Sequence, residues 1–230
     1  VELVMELNEN IMQILKNFAG INSSIVIEQG NQIKTISEAR NVLGSALIDQ
    51  SFPRDFGVYD LNELLNVLSL VDTPRVRFDD SYMLIGDTSG RSTIKYFYTD
   101  QEMLTKAPDK FNMPEPDVSF ELTNDVLNRI KRAASALGHT ELGIVSGESG
   151  IVTLCVQDSE NNTSNSFSID IPAEYDQSIP FNFICNISNL KLLPGDYDVQ
   201  ISSKLISRFS NQDNKMEYFI ALEKSSQYGE

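Results

Sequence analysis

The feature that most limits what this chain can fold into is that it matches itself. LNENIMQILKNFA at 7–19 aligns with LTNDVLNRIKRAA at 122–134 at an offset of 115 residues. Leu7 meets Leu122, Ile11 meets Val126, Met12 meets Leu127, Leu15 meets Ile130, Lys16 meets Lys131 and Ala19 meets Ala134. A second match, FGVYDLNELL (56–65) on NFICNISNLK (182–191), follows at an offset of 126. Each member of that pair reads as a strand running into an Asp- or Asn-capped helix.

Helical periodicity supports four helices. Apolar residues Leu7, Ile11, Ile14, Leu15 and Phe18 form one stripe, and Val126, Leu127, Ile130, Ala134 and Leu137 form another. Asp60–Val71 opens with a capping Asp, and a short helix is expected over Asn186–Leu193, ended by Pro194-Gly195. Most other segments are short, β-branched or aromatic, and bounded by turn residues, as in SSIVIEQ and NQIKTIS around Gln29-Gly30. The expected fold class is α+β: two similar domains of antiparallel sheets with two helices each. The expected boundaries are 1–98 and 118–230, joined by a Pro-rich, extended linker at 99–117.

Charge narrows the function. The chain carries 33 acidic and 18 basic residues, a net charge of −15, and both halves are acidic. That argues against an indiscriminate nucleic-acid binder while leaving room for a local basic surface. No run of ~18 apolar residues suggests a membrane span, and nothing at the start reads as a secretory leader. The N-x-S/T triplets at Asn22, Asn161, Asn162 and Asn186 are therefore expected to be chance matches. Cys155 and Cys185 lie in strand-like stretches and read as small buried hydrophobes. With the single His139 they match no zinc spacing.

Catalytic patterns are weak. GDTSGRST (86–93) lacks the spacing and the Lys of a phosphate loop, and it leads into a strand where that loop must open a helix. Asp79-Asp80 and Asp196/Asp198 sit at turns, where Asp favours backbone hydrogen bonds. The chain reads as a non-enzyme with no cofactor.

The basic helix faces are the better candidates. From Val126 to Thr140 there is no carboxylate, yet Arg129, Lys131 and Arg132 fall within four positions. The stripe leaves Asn128, Lys131, Arg132 and Ser135 on the far side; the first helix offers Gln13, Lys16 and Asn17, and the fourth adds Lys191. Such a face is either a solvated surface or a phosphate-contacting one without sequence choice.

ILKNFAGINSSI (14–25), YDLNELLNVLSLV (59–71), RSTI (91–94), FNFICNISNLKLLPGDYDV (181–199) and YFIALE (218–223) closely resemble the DNA polymerase sliding clamp of T-even-type bacteriophages. The resemblance runs in order along essentially the whole chain and begins near Met5, which makes Val1–Val4 an expected addition. It implies a closed ring of six similar domains with helices lining a hole for duplex DNA, reached here by a homotrimer. The ring would tether the replicative polymerase for processive synthesis, and an ATP-dependent clamp loader would open it, in the cytoplasm of the infected bacterial cell. On this resemblance Lys16, Arg129, Lys131, Arg132 and Lys191 face the channel. Phe111, Met113 and Pro114 lie near a pocket for partner tails. Ser92–Tyr98, including Ile94 and Tyr96, would meet Ser164–Ile171, including Phe167 and Ile169, of the next chain. The alternative is a scaffolding protein that uses the doubled fold for protein assembly without DNA.

Overall fold

The computed structural model describes residues 4–87, 89–161 and 163–229; Val1, Glu2 and Leu3 of the expected N-terminal addition, and Asn162 of one N-x-S/T triplet, lie outside them. The chain divides into two units, one of Val1–Asp109 with Asn214–Met216, the other of Lys110–Asp213 with Glu217–Glu230.

The first unit runs β1 (Val4–Glu6), α1 (Glu9–Ala19), β2 (Ile25–Ile27), β3 (Gly30–Ile36), β4 (Val42–Phe52), β5 (Phe56–Val58), α2 (Leu61–Leu68), β6 (Arg75–Phe78), β7 (Tyr82–Gly86) and β8 (Thr93–Phe97). Asn8 caps α1, accepting from the Ile11 amide at 3.0 Å, and Asp60 caps α2 through the Glu63 amide at 3.1 Å. The buried stripe of α1 (Ile11, Ile14, Leu15 and Phe18) packs with that of α2 (Leu61, Leu64, Leu65 and Leu68). At Gly44 of β4 a Cβ would lie 2.8 Å from the Phe18 ring, so only glycine lets the helix come this close. A four-stranded antiparallel sheet forms in the order β1-β6-β7-β8. The hairpin expected around Gly30 does not form: β2 pairs with β5, and β3 pairs with β4. All three residues of β2 are buried, so its partner is chosen by core packing, not by the adjacent turn.

The second unit runs β9 (Val118–Leu122), α3 (Asn124–Leu137), β10 (Glu141–Ser146), β11 (Ile151–Gln157), β12 (Phe167–Tyr175), β13 (Phe181–Asn186), β14 (Tyr197–Ser202), β15 (Ile206–Asn211), β16 (Met216–Ala221) and β17 (Gln227–Tyr228). Its strands lie in the order β17-β13-β10-β11-β12-β9-β14-β15-β16. Thr123 caps α3 by accepting from the Val126 amide at 3.3 Å, so its cap stands 115 residues after that of α1. Gly138 ends α3 at φ 72°, the left-handed position that glycine takes without strain.

The fourth helix shortens to one 3-10 turn, Ile187–Asn189. Asn186 still caps it, accepting from the Ser188 amide at 3.0 Å. Beyond it Leu190 and Leu192 are both buried around an exposed Lys191, an alternation that belongs to extended chain. Too few residues precede Pro194 to offset helix nucleation. The buried Tyr197 and Tyr218 fix the segment instead: Tyr197 donates to the Leu193 carbonyl at 2.7 Å, and the Leu193 amide donates to the Tyr218 hydroxyl at 3.2 Å.

Both cysteines are buried, and burial pushes the Cys185 thiol up to about 12. Asn22 is also buried, with its amide donating to the Ile36 carbonyl at 2.8 Å, a structural role that leaves no room for a glycan.

Candidate nucleic-acid interface

Leu127, Ile130 and Ala134 set which way α3 faces. At about 100° per residue, Arg132 lies almost opposite that buried line and is exposed, as are Asn128 and Ser135. These three, with Asp125 and Lys131, line one shallow concavity along the helix. Two contacts hold the helix in place. The Asn124 amide donates to Asp196 Oδ1 at 2.7 Å, and the Gly195 amide donates to Asn124 Oδ1 at 3.2 Å. Asp196 therefore serves the amino end of a helix 72 residues away, where a carboxylate also meets the positive end of the helix dipole. Sequence reasoning gave Asp196 only a turn role, because spacing along the chain carries no sign of so distant a partner.

Lys131 corrects the sequence reading. It lies on the flank of the buried line, not on the far side, and is half-buried. Desolvation holds its ammonium below the ordinary 10.5. Because the folded value is lowered, the penalty is fully present at neutral pH and is relieved as pH rises from the folded value towards 10.5. Lys131→Met keeps the apolar stem and removes that penalty. The expected result is a melting temperature above that of the wild type. A lower melting temperature in a calorimetric scan would show that the ammonium stabilises the fold.

Arg129 is exposed, with its guanidinium carbon 5.8 Å from the Phe167 ring centre. The structure thus brings one expected channel residue against one expected interface residue, on β12. Lys16 is exposed in the last turn of α1, where a cation also suits the helix carboxyl end. Its neighbours along that face are Glu9 and Gln13, joined by a hydrogen bond of 3.3 Å. No base stands on α2. Lys191 is exposed on the extended segment, not on a helix.

The strands expected to meet another chain have distinctive edges. β8 ends its sheet and alternates, with Ile94, Tyr96 and Tyr98 half-buried while Ser92, Thr93, Lys95 and Phe97 are exposed. Tyr96 is tied to α2 by a 3.4 Å hydrogen bond to Glu63 Oε2, and burial with the Glu63 charge pushes its phenol up to about 12. β12 pairs with β11 through Phe167–Pro172 and with β9 only through Ala173–Tyr175. Among the described residues, the other edge of Phe167–Pro172, which includes Ile169, carries no strand.

Of the residues expected near a partner pocket, Phe111 packs on Phe219 with ring centres 4.6 Å apart yet stays 44% exposed, while Met113 and Pro114 are half-buried. The first part of the expected linker is strapped to the first unit. Glu28 accepts from Lys34 at 2.8 Å and from Lys106 at 2.7 Å, and the two ammonium groups hold its carboxyl below the ordinary 4.5. The sequence carries no periodic signal for this clasp.

Comparison with known proteins places this architecture. The family description "DNA polymerase processivity factor" matches residues 8–100, and "gp45 sliding clamp, C terminal" matches 119–224. The sliding clamp of Vibrio phage KVP40 is 34% identical over 224 residues, covering 95% of this chain and 99% of that protein. The sliding clamp of Escherichia phage RB69 is 30% identical over 229 residues, covering 96% and 98%. In fold, the chain is similar to the Sulfolobus tokodaii PCNA2-PCNA3 complex (TM-score 0.65, 11% identity, 97% of this chain and 99% of that one). It is similar also to the Helicobacter pylori beta clamp (TM-score 0.65, 13% identity), covering 96% of this chain and 66% of that longer one. The α+β architecture, the matched halves and the full-length phage relatives agree: this chain belongs to the phage sliding-clamp family of DNA polymerase processivity factors.

Proposed function

We propose that three copies of the chain close into a ring around duplex DNA and tether the replicative polymerase without sequence choice. Each copy contributes two clamp domains, 1–98 and 118–230, joined by the linker 99–117. The observation that carries this reading is the outer face of α3. In a chain of net charge −15, its solvent side offers Arg132, Asn128 and Ser135 beside Lys131, with no carboxylate after Asp125. Lys16, Arg129 and Lys191 join Lys131 and Arg132 as the channel bases.

A ring that must slide needs weak attraction. Each neutralised phosphate adds affinity through counterion release, and many such contacts would stall the ring. A few long cations at the wall suffice, while the acidic remainder repels DNA from the outside. The role is binding and topology; chemistry belongs to the polymerase and to an ATP-dependent loader, in the cytoplasm of the infected bacterium. The open edges of β8 and β12 are the proposed subunit contact, and Phe111, Met113 and Pro114 the proposed seat for partner tails.

Polymerase extension assays separate this reading from that of a scaffold. With a loader present, stimulation on a primed circular template is expected to exceed that on the linear form of the same DNA, because a ring runs off free ends. Equal stimulation on both would reject encirclement.

A further inference from the structure

The outer face of the β1-β6-β7-β8 sheet carries a charge pattern opposite to that of the chain. Its inner side is the buried row Met5, Val76, Phe78, Met83 and Ile85. On the other side, strand register sets Lys95 beside Leu84, Leu84 beside Arg77 and Arg77 beside Val4. This is a row of cation, leucine, cation, valine across four strands. Arg75 stands two residues from Arg77 and pairs with Glu6 at 3.6 Å. The Lys95 ammonium lies 3.8 Å from the centre of the Tyr82 ring and 4.9 Å from that of Phe97. Val4 is 53% and Phe97 62% exposed.

Arginine stems often cover a sheet with no further purpose, but the second unit does not repeat the pattern. There Glu121 and Asp198 face each other directly across β9 and β14, and Arg208 is held by Glu217. The basic, apolar face thus belongs to the first unit's sheet.

We infer that this face docks an extended acidic segment of a partner protein. Side chains two apart on an extended strand project about 7 Å apart on one side, matching the Arg75–Arg77 spacing, and strands two apart lie ~10 Å apart, matching Arg77–Lys95. Carboxylates at alternate positions would meet these cations, and an apolar side chain between them would cover Leu84 and Phe97. Phosphates of a nucleic acid would use the cations but leave Val4, Leu84 and Phe97 wet. The mode is recognition of an acidic motif by clustered bases.

Fluorescence anisotropy on the full chain tests this, with a labelled eight-residue peptide alternating Asp with Leu and Phe as the probe. The expected result is saturable binding that weakens at least about tenfold in Arg75→Glu/Arg77→Glu. Both substitutions lie on β6, inside the sheet, away from the proposed subunit edge. Arg77→Gln, which retains a long stem, is expected to show a smaller loss, and Arg132→Glu none. An unlabelled DNA duplex is not expected to displace the probe. No binding by the wild type, equal loss in Arg132→Glu, no loss in either β6 variant, or displacement by the duplex would each overturn the inference.

Discussion

Replacing Lys16 and Arg132 together by glutamate is expected to cut processive synthesis on a primed circular template at least about tenfold, while the oligomeric mass stays that of the wild type. Both side chains are exposed on helix faces whose opposite sides form the cores of their units. Their reversal therefore costs little folding free energy, since surface substitutions rarely exceed about ±0.5 kcal/mol. The loss is electrostatic: a wall of weak attraction becomes repulsive, and symmetry repeats each reversal in every subunit. A tenfold change needs only ~1.4 kcal/mol. The defect should grow as salt is lowered, because the Debye length lengthens from about 8 Å at physiological ionic strength. Unchanged synthesis with an intact oligomer would mean that these faces do not meet DNA.

The second large effect concerns the open strand edges. Ile94 on β8 and Ile169 on β12 are half-buried in a single chain, which leaves apolar surface for a neighbour to cover. Ile94→Asp or Ile169→Asp would place a carboxylate where two edges should join, and burying an unpaired charge at such a contact costs several kcal/mol. The expected outcome is dissociation at micromolar concentration, with a subunit dissociation constant raised by about a hundredfold or more, since every ~1.4 kcal/mol is tenfold. Circular dichroism should retain the wild-type spectrum. An oligomer that survives both substitutions would place the contact elsewhere.

How much of this was legible in the sequence varies with the range of the interaction. Helices α1, α2 and α3 were readable because their caps and stripes are local: Asn8, Asp60 and Thr123 stand where the periodic residues begin. Resemblance supplied the family, and the self-match supplied the pairing of Lys16 with Lys131; that Asn8 and Thr123 cap the two helices at the same offset came from the structure. The fourth helix failed because Asn186 signals only a start, and Leu190 and Leu192 alternate when followed to Pro194. The partner of β2 was hidden because β5 lies some thirty residues away and the nearby Gly30 advertises a hairpin. The half-burial of Lys131 depends on what surrounds the flank of α3, which a helical period does not encode. The bridging of Glu28 by Lys34 and Lys106 was hidden for the same reason.

The central claim is a closed ring, and its most direct measurement is the mass of the wild-type protein in solution. A two-unit chain reaches the six units of a clamp ring only as a trimer. Sedimentation equilibrium or light scattering at micromolar concentration should therefore give three times the 25.8 kDa of one chain. A mass of one or two chains would contradict the account.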